Sequence, residues 1–300
     1  MFATLLGSLP RPSLAGDAAP EAILDAVLEL QLEHGLEPLT DGGWPLDRDD
    51  VVEAWRASSA RTDRLVKAVL SGPLTSDRPI AEVRAEVLAL ADAGCPWIEV
   101  HEPAATTIGA DPDARARFAD AHRSLTAEVG PDVHLSLAIL GGSADDAGID
   151  TILAGAYSSL ALDLIAGPDN WRLATATPTE MGLICGAVST QVGSDDGPEM
   201  LLWAARYAAS SRGRGPARVG LATAGSLAAL PWPVAAEKVR RLGEASALAM
   251  APAEERLAAI DPRAINARSA ALGRYEPEAP RPGRSARARG RNRDTGRPPA

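Results

Sequence analysis

Along this chain, short apolar runs alternate with longer stretches in which apolar positions recur every three or four residues, and Gly, Pro, Asp and Asn gather between them. Short apolar runs bounded by turn residues read as strands, and the three-to-four spacing reads as helices packed by one face. This predicts eight strands, at residues 3–6, 37–40, 65–70, 97–100, 133–140, 159–165, 182–188 and 218–223. A helix is predicted after each, at 20–34, 48–59, 80–93, 112–129, 145–154, 170–176, 198–211 and 234–250. Asp17, Asp47, Asp111 and Asp196 stand close ahead of four of these helices, where a carboxylate can accept from free backbone amides. Runs such as LSLAIL (135–140) and LALDLI (160–165) show almost no polar alternation, which suits a parallel sheet buried on both faces. Eight strand–helix units in about 250 residues match a single (β/α)8 TIM barrel of the α/β class. An open doubly wound sheet is the alternative, but no Gly-rich dinucleotide-type turn follows the first strand.

On this reading residues 1–250 form the barrel, 251–273 a helical C-terminal extension and 274–300 a basic tail. The tail holds eight Arg against Glu276, Glu278 and Asp294 and almost nothing apolar, so it is expected to be disordered. The formal charge of −10 over 300 residues therefore leaves about −15 on residues 1–273. An acidic body argues against a nucleic-acid partner. No apolar run approaches the roughly 20 residues that a membrane span requires, so no membrane partner is expected. The opening MFATLLGSLPRP lacks the charged start and long apolar run of a signal peptide and reads as a strand. Cys95 and Cys185 are far apart in apolar segments, which points to free thiols and a reducing cytoplasm. A small-molecule substrate is the expected partner.

In such a barrel the C-terminal ends of the strands converge on one face, and that face carries the chemistry. The fourth predicted strand stops on His101, Glu102 and Pro103, and period-two alternation puts Glu99 on the same side as His101. A carboxylate beside an imidazole fixes its tautomer and supports general acid–base catalysis; the same pair can equally be a buried ion pair that holds the strand end. Asp163, between Leu162 and Leu164, calls for a partner, and Arg11, Arg48 and Lys67 are the candidates. The candidate catalytic residues are thus His101, Glu102 and Asp163. Ser8, Arg11, Asp41, Glu99 and Trp171 are candidates for holding substrate, Trp171 as the floor under a flat ligand. His134 starts its strand and is expected at the opposite end, while His34 and His122 fall on helices and are expected at the surface.

Several segments resemble a known family. LLGSLPRP (5–12), LEPLTDGG (36–43), GPLT (72–75), AGCPWIEVHEPA (93–104), LALDLIAGPDNW (160–171) and GLATAGSLAALPW (220–232) are similar to barrel motifs of cobalamin-independent methionine synthase. The resemblance covers roughly residues 3–245 and extends to a superfamily that includes uroporphyrinogen decarboxylase and corrinoid-linked methyltransferases. It implies a TIM barrel that moves a methyl group from a folate to the sulfur of homocysteine, with a thiol or amino-acid-like acceptor and zinc holding the thiolate. The family's zinc ligands fall here on Ser136, Ala138 and near Ala224, with Asp163 the nearest acid, and no sulfur remains. A zinc site rebuilt from His101, Glu102, His134, Asp163 and Cys185 is one option, and a metal-free pocket the other. The family's amine-binding acids fall on His101 and Gly43, which points to an altered acceptor. Two further readings stay open: metal-free decarboxylase or lyase chemistry on His101, Glu102 and Asp163, and a non-catalytic barrel that binds a metabolite or a protein.

Overall fold

Seven short strands, all parallel, form one sheet in the computed structural model, which describes residues 1–14, 17–47, 49–194 and 196–252. They are β1 (Phe2–Thr4), β2 (Ala68–Ser71), β3 (Trp97–His101), β4 (His134–Ile139), β5 (Ser159–Asp163), β6 (Gly182–Val188) and β7 (Val219–Thr223). The order β1-β7-β6-β5-β4-β3-β2 follows the sequence except that β1 pairs with β7, so the sheet curls until its first strand lies beside its last. Helices fill most of the crossovers, as parallel pairing requires. The described residues all belong to one compact unit. Residues 253–300, and with them the basic tail and nearly all of the expected helical extension, lie outside the described residues.

Eight strands were expected and seven are present among the described residues. The missing one is the segment at 37–40, which makes a single parallel bridge, Leu39 with Val66, in place of a ladder. Glu37 N donates to Ala3 O (2.8 Å), Leu39 N donates to Leu65 O (2.8 Å) and Lys67 N donates to Leu39 O (2.9 Å). Between these donors stands Pro38, which has no N–H, so the ladder cannot run on. Thr4 Oγ1 donates to the Pro38 carbonyl instead (2.7 Å). The segment thus touches both open edges of the curled sheet.

Both faces of the sheet are buried. The outer face presents residues such as Ile98, Leu135, Leu160, Leu183 and Leu221 to the helices, where Val87, Phe118, Leu201 and Val239 complete the main core. The inner face encloses a smaller cluster of Leu6, Trp97, Ala138, Leu140, Ala161, Ile184 and Ala222. Small residues on β5–β7 face large ones on β1 and β3: a Cβ on Gly220 would run into the Phe2 ring, and Phe2 packs edge-on against Trp97 at 5.7 Å. The helix starts are only partly as expected. Asp111 and Asp50 cap their helices through side-chain bonds, and Asp47 takes the amides of Asp49 and Asp50. Asp196 caps nothing; it accepts from Ser189 N (2.8 Å) and pairs with buried Lys238, tying the loop after β6 to the last helix, Trp232–Met250. Among the described residues no helix is long and apolar enough to cross a membrane.

Candidate active site

Three charged or polar side chains share the inner wall at β2 and β3. Lys67, just before β2, donates through Nζ to Glu99 Oε2 (2.8 Å) and to the Leu5 carbonyl (2.9 Å), and neither the Lys67 nor the Glu99 side chain is exposed. His101 Nε2 lies 2.8 Å from Glu99 Oε1 and keeps 14% of its side chain open to solvent. Ser136 Oγ adds a longer bond to Glu99 Oε2 (3.3 Å) and is itself held by Trp97 Nε1 (3.1 Å). Burial alone would push the Glu99 carboxyl up, but the Lys67 ammonium and the His101 hydrogen bond hold it at about 2. Glu99 is therefore an anion across the physiological range. Because an ionised carboxylate only accepts, His101 must donate Nε2–H to it.

Register carries His101 to the rim. It sits opposite Ser71 on β2 and Ala138 on β4 at the C-terminal ends of those strands, and Val69, on the same inner face, remains 38% exposed beside it. A cavity of about 220 Å³ lies between the helix Val51–Ser59 and β2, lined by Asp41, Val51, Ala54, Trp55, Lys67 and Leu70 among others, and His101 is not in its lining. Ser8 and Gly43 approach each other closely, since a Cβ on Gly43 would stand 2.7 Å from Ser8 Cβ. Asp41 is half-buried and accepts from Gly43 N (2.8 Å), and Arg11 is exposed on the loop after β1. Asp163 ends β5 with Oδ1 accepting from Ile165 N (2.9 Å) and Ala166 N (2.8 Å) and Oδ2 accepting from Gly141 N (3.1 Å). Burial raises its pKa and those amides oppose the rise. Its partners are backbone amides, in place of the expected Arg or Lys.

Glu102 and Trp171 lie apart from this group. Glu102 follows His101 and so faces the other side of the strand, fully buried under the helices. It accepts from Leu74 N (3.1 Å) and from Thr75 Oγ1, and His122 Nε2 stands 3.5 Å away. His122, expected at the surface, is fully buried: its ring stacks on Phe118 at 4.0 Å and its Nδ1 meets the Tyr157 hydroxyl. Trp171 packs edge-on against Trp203 (5.4 Å) and Tyr207 (5.0 Å) over the outer core. His134 occupies the N-terminal end of the inner face, its ring tilted against Trp97 at a centroid distance of 3.7 Å and bonded to Ser159 Oγ (2.8 Å); burial drops its pKa to about 4. Sequence reasoning did not place Lys67 beside Glu99. The signal was present, because a charge inside each of two apolar strand runs, LVKAV and WIEV, calls for a partner.

No family model matches the chain. Two methyltransferases of Rhodopseudomonas palustris, from different strains and both described as 5-methyltetrahydropteroyltriglutamate–homocysteine methyltransferase, are 29% identical to it over 204 residues. The alignment takes in 63% of this chain and 25% of each relative, so the chain spans about a quarter of the length of the curated relatives it matches. A B12-independent methionine synthase from a Shewanella species, solved with selenomethionine, superposes with a TM-score of 0.69 at 14% identity, covering 85% of this chain and 98% of that one. A Listeria monocytogenes protein described as a putative vitamin-B12-independent methionine synthase gives 0.65 at 13% identity, over 84% and 98%. The chain resembles the cobalamin-independent methionine synthases.

Zinc, which that resemblance implies, does not fit the residues present. The positions that the resemblance assigns to ligands carry Ser136, whose hydroxyl is engaged with Glu99 and Trp97, and Ala138, and the last falls near Ala224. Cys95 and Cys185 both belong to the outer core, fully buried, and burial pushes their thiols up to about 11 and about 12, far from thiolate character. Among the described residues no group of three or more His, Cys, Asp or Glu is placed to hold a metal ion.

Proposed function

We propose that the chain is a cytoplasmic methyltransferase of the methionine synthase type, with a small thiol as acceptor and a reduced pterin of the 5-methyltetrahydropteroyl class as donor. The observation that carries the reading is the match over 204 residues to enzymes named for that reaction. We take the fold to be a complete (β/α)8 barrel whose second strand is the segment at 37–40, and the acceptor to bind at the mouth where His101 lies. Ser8, Arg11 and Asp41, on loops at that mouth, would contact the acceptor. Asp163 would set the loops after β4 and β5, and Glu102 would brace the end of β3 from behind.

In this scheme His101 Nδ1 takes the proton of the acceptor thiol, and Glu99 steadies the imidazolium that forms. The thiolate attacks the donor methyl carbon; a sulfur–carbon bond forms as the carbon–nitrogen bond breaks. The donor nitrogen keeps the electron pair and then takes up a proton. No step passes through a metal, and the chemistry asks for a thiol of ordinary pKa, about 8.5, with a base placed to take its proton.

The test is conversion of homocysteine to methionine by the purified protein with 5-methyltetrahydropteroyltriglutamate, followed by mass spectrometry in EDTA. Turnover should persist in the chelator, and His101→Ala should lower kcat/KM at least ~100-fold, the lower range for losing a general base. Absence of methyl transfer to homocysteine or to other small thiols would overturn the reading and leave the same dyad to decarboxylase or lyase chemistry.

A further inference from the structure

We propose that Lys67 is a positioning residue for the reaction: by balancing the charge of Glu99 inside the wall, it leaves His101 unprotonated at Nδ1. The proposal rests on the methyl-transfer reading for its kinetic consequence but not for its physical content. Three observations carry it. The Lys67–Glu99 pair is closed at 2.8 Å with no exposure of either side chain. Among the described residues the other hydrogen-bond partner of the Lys67 ammonium is a neutral acceptor, the Leu5 carbonyl. The second Glu99 oxygen is bonded to His101.

A buried carboxylate must have a compensating cation or lose its charge. Here two groups compete for that role, Lys67 on one oxygen and His101 on the other. While Lys67 supplies the charge, the pair is neutral and His101 need contribute only a hydrogen bond. Remove Lys67, and His101 becomes the available cation: it would hold its proton as imidazolium and cease to be a base at neutral pH. Two other ionisable groups face inward: His134, at the far end of β4 with its ring tilted against Trp97, interacts with both Glu99 and Lys67 but is kept neutral by its own burial, and Asp163 is engaged by three backbone amides. Strands β1, β6 and β7 bring no inward acid or base, since the Cys185 side chain faces the outer core. Asp41 lines the cavity beside β2 and accepts from Gly43 N.

The experiment is an NMR titration of the His101 ring in the full chain, wild type against Lys67→Met and Lys67→Arg, with kcat/KM against pH recorded beside it. In Lys67→Met the His101 midpoint should rise by at least about one unit, equivalent to 1.4 kcal/mol, and the acid limb of the rate profile should move with it. Lys67→Arg should restore both toward wild type. A variant that cannot hold the lone Glu99 charge may be replaced by Lys67→Met/Glu99→Gln, in which the midpoint should fall below wild type because the anion is gone. An unchanged His101 midpoint in the folded variants overturns the role of Lys67, even where the wild type turns over thiols. A shifted midpoint in a protein that methylates nothing keeps the charge balance and sinks only the methyl-transfer reading.

Discussion

Burying Lys67 and Glu99 together removes two charges from water, a cost that their attraction offsets only when the remaining polar atoms are also satisfied. Leu5, Ser136 and His101 supply those extra bonds, which is why the pair can sit where no solvent reaches it. His134, lower on the same face, is the opposite case: it stays neutral because burial drops its pKa to about 4. In the unfolded chain it titrates near 6.5, so between those values the unfolded state binds more protons. Its contribution to stability is complete above about pH 6.5 and is lost as the pH falls toward 4, on the order of 2–3 kcal/mol. Glu99 acts in the same direction lower down, stabilising above about 4.5 and losing that contribution as the pH falls toward 2. A His134→Gln variant should therefore show a flatter decline of Tm between pH 6.5 and 4 than wild type. Parallel curves for the two proteins would show that the ring carries no such linkage.

At the scale of an element, the end of β3 is held from two sides. Its inner side ends in His101, and its outer side ends in Glu102, gripped by the short helical turn Pro73–Ser76 through Leu74 N and Thr75 Oγ1. Gly72 makes that grip possible. Its φ of −65° suits any residue, so the constraint is one of space: an added Cβ would lie 2.6 Å from Glu102 Cδ. Gly72→Ala should force the carboxylate off its two donors and cost about 1–3 kcal/mol, read as a lower urea midpoint at unchanged slope. Since the His101 imidazole rides on the same strand end, kcat should fall in this variant as well. A midpoint equal to wild type would mean that the turn can yield at no cost.

For the whole molecule, the decisive feature is how the curled sheet meets itself. Each of β3–β7 is flanked by two ladders, whereas β1 and β2 have one each, and at 37–40 one bridge and a few hydrogen bonds stand between those two edges. Thr4 Oγ1 on the buried Pro38 carbonyl is one of these ties. Thr4→Val leaves that carbonyl without its donor and should cost about 1–3 kcal/mol. Hydrogen exchange should rise first at Leu39 and Lys67, whose amides close the junction, while β4–β6 keep wild-type protection. Uniform loss of protection across all strands would instead mean that closure is no weaker than the rest of the sheet.

Periodicity and near-continuous apolar runs were enough to read the parallel α/β class, the alternation of strands and helices, and the approximate place of all seven strands, because each rests on contacts a local pattern encodes. The same alternation put Glu99 and His101 on one face, and by the same rule it turns Glu102 away. The separation of Glu102 from His101 was therefore legible in principle; its partners Leu74, Thr75 and His122 were not, since they come from segments 20 or more positions distant. Pro38 and the nearby amides of Ile165 and Ala166 are local features, but tertiary structure alone decided that His122 would be buried and that Gly141 N would close on Asp163. It also decided that Lys67 would reach Glu99 across 32 positions of sequence. Those outcomes depend on which side chains the curled sheet brings within about 3 Å of one another, a distance set by strand register and closure and by nothing a single segment contains.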